Sequence, residues 1–383
     1  MFKNYFVMNN TLKKTGKLVI CFFLLVLVFF TACKPGSKIK PILYNSLEFS
    51  PRNYVCYKTN TDIIIDGKID EKEWGNAEWS DYFVDIEGDK KPLPLQNTRV
   101  KMMWDESYFY ILAEIEETDI WATLTERESV IFYDNDFEVF IDPDGDTHKY
   151  YEYEINAYGT EWDLMLIKPY RDGGPAVNAW DINGIKSAVY IDGTINDASD
   201  VDKKWIVEIA MPFNILKECA PGEKLPVPGD QWRVNFSRVE WKVNKQDGKY
   251  VKQTNPSTGK PLPEFNWVWS PQGLINLHVP EMWAFVQFSG IKAGQGSDKF
   301  VFNDDEKIKW ALRQIYYQQR NFLEKYGKYS DDLENLGLID LKIQGLNFNP
   351  EIILMPGYYM ARSKDVSGKK YWNILPDGII WKN

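Results

Sequence analysis

Five carboxylates and one amide in this chain are spaced so that a β-hairpin would gather them on one surface. From Tyr133 the sequence runs Tyr-Asp-Asn-Asp-Phe-Glu-Val-Phe-Ile-Asp-Pro-Asp-Gly-Asp-Thr-His148, and Tyr150-Tyr-Glu-Tyr-Glu-Ile-Asn-Ala157 follows. Read with period two, Phe137, Val139 and Ile141 share one face of the first arm, and Asp136, Glu138 and Asp142, with Phe140, share the other. In the second arm Tyr151, Tyr153, Ile155 and Ala157 share a face, and Glu152, Glu154 and Asn156 take the opposite one. Asp144-Gly145 supplies the turn. Closure near Gly145-Asp146 sets Glu138 opposite or diagonal to Glu152 and Glu154. Like charges across a ladder are destabilising, so this face calls for a cation, an arginine or a hydroxyl-rich ligand. It is expected to be a polar binding surface.

The elements around it are mostly β between residues 50 and 290. Asp-Gly pairs recur at 66–67, 144–145, 172–173, 192–193 and 247–248, each a turn signal. Strand patterns span 98–104, 108–116, 204–211, 232–241 and 284–288, and residues 212–217 suggest one helical turn. Loops are expected at 88–97 and 242–266, which are rich in Pro, Gly, Lys and Asn. Short strands with regular turn signals predict an all-β sandwich. After a linker the period changes. Ile308, Leu312, Ile315, Tyr316, Gln319 and Phe322 recur at helical spacing over 304–326, with Asn303 or Asp304 as cap and Gly327 as stop. Short strands at 352–355 and 371–374 complete a small C-terminal α+β appendage.

The N-terminus is a targeting pattern. Lys13, Lys14 and Lys17 precede an apolar run from Leu18 to Phe30, shorter than a good membrane span. Phe30-Thr-Ala-Cys33 resembles the lipobox of bacterial lipoproteins of the Bacteroidetes type, so Cys33 is expected to carry lipid. Lys34-Pro-Gly-Ser-Lys38 lacks the acidic residues that often follow the cysteine in surface-exported members, so the periplasmic and outer faces of the outer membrane both stay open. The expected organisation is a signal peptide at 1–32, a lipid-anchored tether at 33–49, a β-sandwich at 50–290, a linker at 291–300 and an α+β region at 301–383.

Composition excludes some classes of function. The formal charge of −10 becomes about −14 once Lys3, Lys13, Lys14 and Lys17 leave with the signal. A nucleic-acid partner needs a positive footprint and is not expected. Two histidines, His148 and His278, leave little for a transition-metal site or for Ser–His and Cys–His chemistry. Cys56 and Cys219 lack metal-ligand spacing, and an oxidising envelope would permit but not require their pairing. Asp142, Asp144 and Asp146 offer hard oxygens at alternate positions around a glycine, half of a calcium loop without the EF-hand pattern. Fifteen Trp and 22 Tyr either fill a β core or supply flat faces for sugar rings.

Three ordered motifs then point to a family. Ile65-Asp-Gly-Lys-Ile-Asp70 with Glu73-Trp74, Val100-Lys-Met-Met-Trp-Asp105 with Tyr108-Phe-Tyr-Ile111, and Asn135-Asp-Phe-Glu-Val-Phe-Ile-Asp142 resemble the signatures of family 9 carbohydrate-binding modules. The resemblance spans about residues 60 to 290. It implies a β-sandwich, sugar binding and, in some members, structural calcium. It places a stacking aromatic at Tyr133 and a hydroxyl-binding carboxylate at Glu138. Two positions depart from the family pattern. Glu154 stands where the family has an arginine, and Leu277, beside His278, stands where it has a second stacking Trp. Trp267, Trp269 or Trp283 is expected to substitute for the Trp, and Arg238 for the arginine.

The expected function is non-catalytic binding of an oligosaccharide or polysaccharide by a lipid-anchored envelope protein, supporting polysaccharide breakdown or uptake. Its expected ligand contacts are Tyr133, Glu138, Glu154, Asn156, Arg238, Trp267 and Trp269. Two alternatives are a hydrolase, or an accessory module of one, using paired carboxylates, and a structural envelope protein that has lost the sugar. On the last reading, deletion of 300–383 would leave the sandwich folded.

Overall fold

Alternation of large apolar and polar side chains builds two facing β layers. The structure, a computed structural model, describes residues 48–383, so the signal peptide, Cys33 and nearly all of the tether lie outside the described residues. The strands are β1 (Asn53–Lys58), β2 (Val84–Asp85), β3 (Thr98–Trp104), β4 (Tyr108–Glu116), β5 (Asp136–Asp142), β6 (Tyr150–Asn156), β7 (Glu161–Leu166) and β8 (Ala176–Val177). They continue with β9 (Lys186–Asp192), β10 (Lys204–Pro212), β11 (Gln231–Glu240), β12 (Val243–Gln246), β13 (Lys249–Lys252), β14 (Phe265–Val268) and β15 (Ala284–Lys292). Two short helices, α1 (Lys72–Asn76) and α2 (Phe213–Leu216), interrupt them.

Hydrogen bonding follows the path β8-β7-β6-β5-β11-β15-β1-β3-β4-β10-β9, with β14 on β11 and β2 on β14. β1 runs parallel to both β15 and β3, and joins the two layers. Phe137, Val139, Ile141, Tyr151 and Tyr153 of one layer share a core with Ile111, Ala113, Val207 and Ile209 of the other. The expected sandwich is therefore the observed one. The register is also as expected: Glu138 faces Glu154, Phe140 faces Glu152 and Asp136 faces Asn156. Gly145 takes a φ of 64° in the connecting loop, a left-handed geometry that glycine adopts without a Cβ clash.

The Asp-Gly…Trp motif is a structural clamp. Glu208 on β10 accepts the backbone N–H of Asp66 (2.9 Å) and of Gly67 (3.0 Å), and the indole N–H of Trp74 (2.8 Å). Gly67 has φ 82° and leaves a Cβ only 3.0 Å from the Tyr190 backbone nitrogen, so a side chain does not fit there. The motif thus ties its own turn to the layer below.

One expectation changes, and the open question of the cysteines is answered. Residues 242–266 are not one loop: β12 and β13 form a hairpin turned by Asp247 and Gly248, both at positive φ. Its strands lack apolar alternation because both faces are wet, except where Val243 and Tyr250 pack on Trp121 and Trp241. Cys56 and Cys219 are both buried and free.

The C-terminal region comprises α3 (Asp305–Tyr326) and the four-stranded sheet β16 (Glu351–Met355), β17 (Tyr358–Lys364), β18 (Tyr371–Ile374) and β19 (Ile380–Lys382). Asn303 Oδ1 caps α3 by accepting from the Asp305 N–H (3.0 Å), and left-handed Gly327 ends it. Beyond its apolar stripe, α3 also buries Glu306, Lys309 and Arg313. Arg233 of β11 bonds Glu306 (2.6 Å), Lys309 bonds the Gly145 carbonyl (2.9 Å), and Arg313 bonds the Thr147 hydroxyl (2.8 Å). The helix is pinned to the β5–β6 loop, and residues 48–383 fall within one compact unit.

Candidate functional site

Because Phe137, Val139 and Ile141 face the core, the intervening Glu138 points outward from the β5–β6–β11 layer. It joins Glu152 and Glu154 on the floor of a cleft of about 260 Å³. Phe132, Trp162, Tyr170, Leu277 and His278 form its walls, with Glu264 just before β14 and Asn266 within it. The arrangement combines carboxylate acceptors with ring faces, and Tyr170 is half exposed.

The lining holds four glutamates and neither lysine nor arginine. Burial, reinforced by the nearby Arg171 charge, lowers the His278 pKa to about 3, leaving a neutral imidazole whose Nδ1 lies 3.0 Å from the Tyr150 hydroxyl. Burial raises Glu138 to about 7; the Ser237 hydroxyl opposes the shift and the Glu264 charge adds to it. Glu152 and Glu154 are pushed well above the usual carboxylate range, first by burial and then by Glu138. Asp136, beside them, is raised for the same reasons. Oε2 of Glu154 accepts the Phe132 N–H at 3.0 Å, whereas Oε2 of Glu138 and Oδ2 of Asp136 are buried without a hydrogen-bond partner. Unsatisfied buried oxygens of this kind are costly and mark places where a ligand group belongs.

The expected contacts divide sharply. Glu138 and Glu154 meet on the cleft floor. Tyr133 is exposed and packs its ring on Phe132 at 4.8 Å, at the edge of the lining. Asn156 does not face a ligand. Its Nδ2 bonds the Leu124 carbonyl (2.9 Å) and Asp134 (3.1 Å), and its Oδ1 accepts the N–H groups of Tyr158 and Thr160 (both 3.0 Å), so it is spent on holding the turn after β6. Arg238 pairs with Phe137 across the ladder and therefore lies on the core face, where it bonds Glu117 (2.5 Å) and Glu240 (2.9 Å). It cannot stand in for a cation in the cleft. Trp267 pairs with Arg238 and faces the same way, while Trp269 packs against Tyr54 and Phe236. Both belong to the core and neither is a stacking platform. Trp283 is fully buried, and its indole N–H donates to the Leu277 carbonyl (3.0 Å), which fixes that wall.

Trp162, Tyr170 and Glu264 are among the cleft residues that sequence reasoning missed. Trp162 was within reach: it faces Glu154 across the β6–β7 ladder, and the same period of two continues through Leu164 and Leu166. Tyr170 and Glu264 sit outside any strand and carry no local signal.

A second acidic group lies in the β5–β6 loop. Asp142 accepts the N–H of Gly145 (3.0 Å) and of Thr147 (2.9 Å), and Asp144 accepts that of Asp146 (3.1 Å). One oxygen from each of the three aspartates lies within 4.8 Å of the others. Burial and the neighbouring carboxylates push Asp142 well up and Asp144 to about 6, with the Lys309 ammonium opposing both shifts. The hard oxygen donors fit calcium, although Lys309 already supplies part of the compensating charge.

The family described as carbohydrate family 9 binding domain-like matches residues 65–251. Endo-1,4-beta-xylanase A of Thermoanaerobacterium saccharolyticum is 30% identical over 154 residues, 40% of this chain and 11% of that protein. Exoglucanase XynX of Acetivibrio thermocellus is 28% identical over 157 residues, 40% of this chain and 12% of that protein. The chain thus spans little more than a tenth of the length of these curated relatives. Among solved structures, a family 9 carbohydrate binding module from Caldicellulosiruptor kristjanssonii in complex with glucose has a TM-score of 0.40 at 16% identity, covering 65% of this chain and 99% of that one. Its complex with cellotriose has a TM-score of 0.40 at 15% identity, covering 65% and 100%. Over residues 65–251, this chain carries a domain like the family 9 carbohydrate-binding modules.

Proposed function

We propose that this protein binds an oligosaccharide or polysaccharide, without cleaving it, in the cleft above β5, β6 and β11. One observation supports this most directly: buried carboxylate oxygens form the floor of a concave site whose walls are Trp162 and Tyr170. Ring faces pack against the C–H faces of sugars, while carboxylates accept their hydroxyls. In this reading Glu138 and Glu154 orient the sugar, and Trp162 and Tyr170 take the stacking role expected of Trp267 and Trp269. Calorimetric titration with glucose, cellotriose and xylo-oligosaccharides tests the proposal. Glu138→Ala is expected to weaken the glycan that binds by about 100-fold, the worth of two hydrogen bonds to a charged acceptor, with the far-ultraviolet circular dichroism unchanged. Undiminished affinity would remove Glu138 from the site.

The protein acts, on this proposal, at the bacterial outer membrane, held by lipid on Cys33, and supports polysaccharide breakdown or uptake. The Thr-Ala-Cys33 sequence after an apolar run supports the anchor. Cys33→Ser is expected to move the protein from the membrane fraction to the soluble one; an unaltered distribution would sink the anchor. Calcium in the Asp142–Asp146 loop is part of the same proposal, with Asp142, Asp144 and Asp146 holding it and stiffening the loop on which α3 rests.

A further inference from the structure

The cleft floor and the neighbouring Asp136 gather more carboxyl groups than a neutral sugar can use, and burial drives them toward their protonated forms unless a cation joins them. One carboxylate oxygen from each of Asp136, Glu138 and Glu154 lies within 4.8 Å of the other two. Calcium binds its oxygen ligands at about 2.3–2.6 Å, so oxygens on opposite sides of one ion stand about 4.6–5.2 Å apart and adjacent ones closer. The three side chains are 0, 2 and 1% exposed. Oδ2 of Asp136 and Oε2 of Glu138 have no hydrogen-bond partner in the protein. No lysine or arginine lines the cleft. Arg238, close in sequence to the cleft residue Val239, faces the core and is occupied by Glu117 and Glu240. Lys252 feels the Asp136 and Glu264 charges, but its ammonium rests over the Trp241 ring (3.4 Å); buried carboxylates with so little counter-charge are strongly unfavourable, and they form a ready site for a small hard cation.

We propose that a calcium ion binds among Asp136, Glu138 and Glu154 on the cleft floor, and that glycan hydroxyls complete its coordination. The second half rests on the sugar-binding reading of the cleft. Calcium takes six to eight oxygens, and three carboxylates leave positions open on the side that faces the cleft. The ammonium of an amino sugar is the competing occupant. It fits less well, because Asp136 is wholly buried, beyond the reach of a substituent carried on a sugar ring but accessible to a bare ion.

The test uses the full chain, stripped with chelator and titrated calorimetrically with calcium chloride alone, and then with cellotriose and xylo-oligosaccharides with and without calcium. The unaltered protein is expected to take up one equivalent of calcium more than Glu138→Gln or Glu154→Gln. Both variants keep the equivalent held by the Asp142–Asp146 loop, which Asp144→Asn removes. Glycan affinity is expected to fall at least tenfold in chelator. Equal calcium uptake by the unaltered protein and both variants would overturn the ion site; should Glu138→Gln fail to fold, Glu154→Gln decides. A Glu138-dependent equivalent with glycan affinity unchanged in chelator overturns the completion by hydroxyls and leaves the sugar reading standing. A Glu138-dependent equivalent with no glycan bound does the reverse. Binding of glucosamine oligomers with no calcium uptake in the cleft would assign the site to an ammonium instead.

Discussion

Arg238→Ala is expected to cost about 3–5 kcal/mol of stability, the usual penalty for removing one partner of a buried ion pair, while leaving glycan affinity of the folded protein within about twofold. The guanidinium is 1% exposed and holds five partners: Glu117, Glu240, the Glu116 carbonyl (2.7 Å), the Thr98 hydroxyl (3.2 Å) and the Gln96 amide oxygen (3.2 Å). Burial, followed by the Glu117 charge, already pushes Glu240 well above the carboxylate range, and Arg238 is the group that opposes it. Truncation strands both carboxylates in the core. Arg238→Lys is expected to recover only part of the loss, because an ammonium cannot reproduce the planar fork. Urea unfolding gives the stability, and titration below the transition gives the affinity. A loss of affinity beyond the loss of folded protein would return Arg238 to the cleft.

Removing residues 301–383 is expected to destabilise the sandwich by about 5 kcal/mol or more, lowering its melting temperature by roughly 10–20 °C. If the tail were a mere appendage, the sandwich would be unaffected. In the structure, Arg233 loses Glu306, Asp172 loses Arg320 (2.6 Å) and Tyr316, and Glu281 loses Tyr317. Phe285 loses the rings of Phe300, if the cut is moved back to 300, and of Phe302. Water reaches some of the stranded groups, which is why the expected cost is well below the sum of three buried pairs. The deletion also reaches the cleft. Arg320 holds the Arg171 carbonyl at 2.7 Å, next to Tyr170 on the cleft wall, so glycan binding should weaken as well. Thermal unfolding followed by near-ultraviolet circular dichroism checks this; an unchanged melting temperature would show that the α3 contacts contribute nothing net.

The acidic floor was legible in the sequence, because a strand has a period of two. Once Phe137, Val139 and Ile141 are assigned to the core, Glu138 has to point out, and the Asp-Gly turn near 145 sets it against Glu154. The sandwich, the α3 boundaries and the helix stop at Gly327 followed from equally local rules of alternation, spacing and capping. The choice of aromatics did not. Whether Trp267 or Trp162 meets a sugar depends on which face of its strand closes the core, and for Trp267 that is decided by pairing with Arg238, across a sheet assembled from distant segments. Asn156 and Arg238 misled for the same reason: a polar side chain near an acidic strand has the right chemistry for a ligand, but both had already been satisfied by protein partners. Sequence by itself determined the strand faces and the charge they carry, since these depend on neighbours one or two residues away. Only the tertiary structure decided which charges remain unpaired and which rings stand over them, because hydrogen-bond satisfaction and burial are set by contacts between residues far apart in the chain.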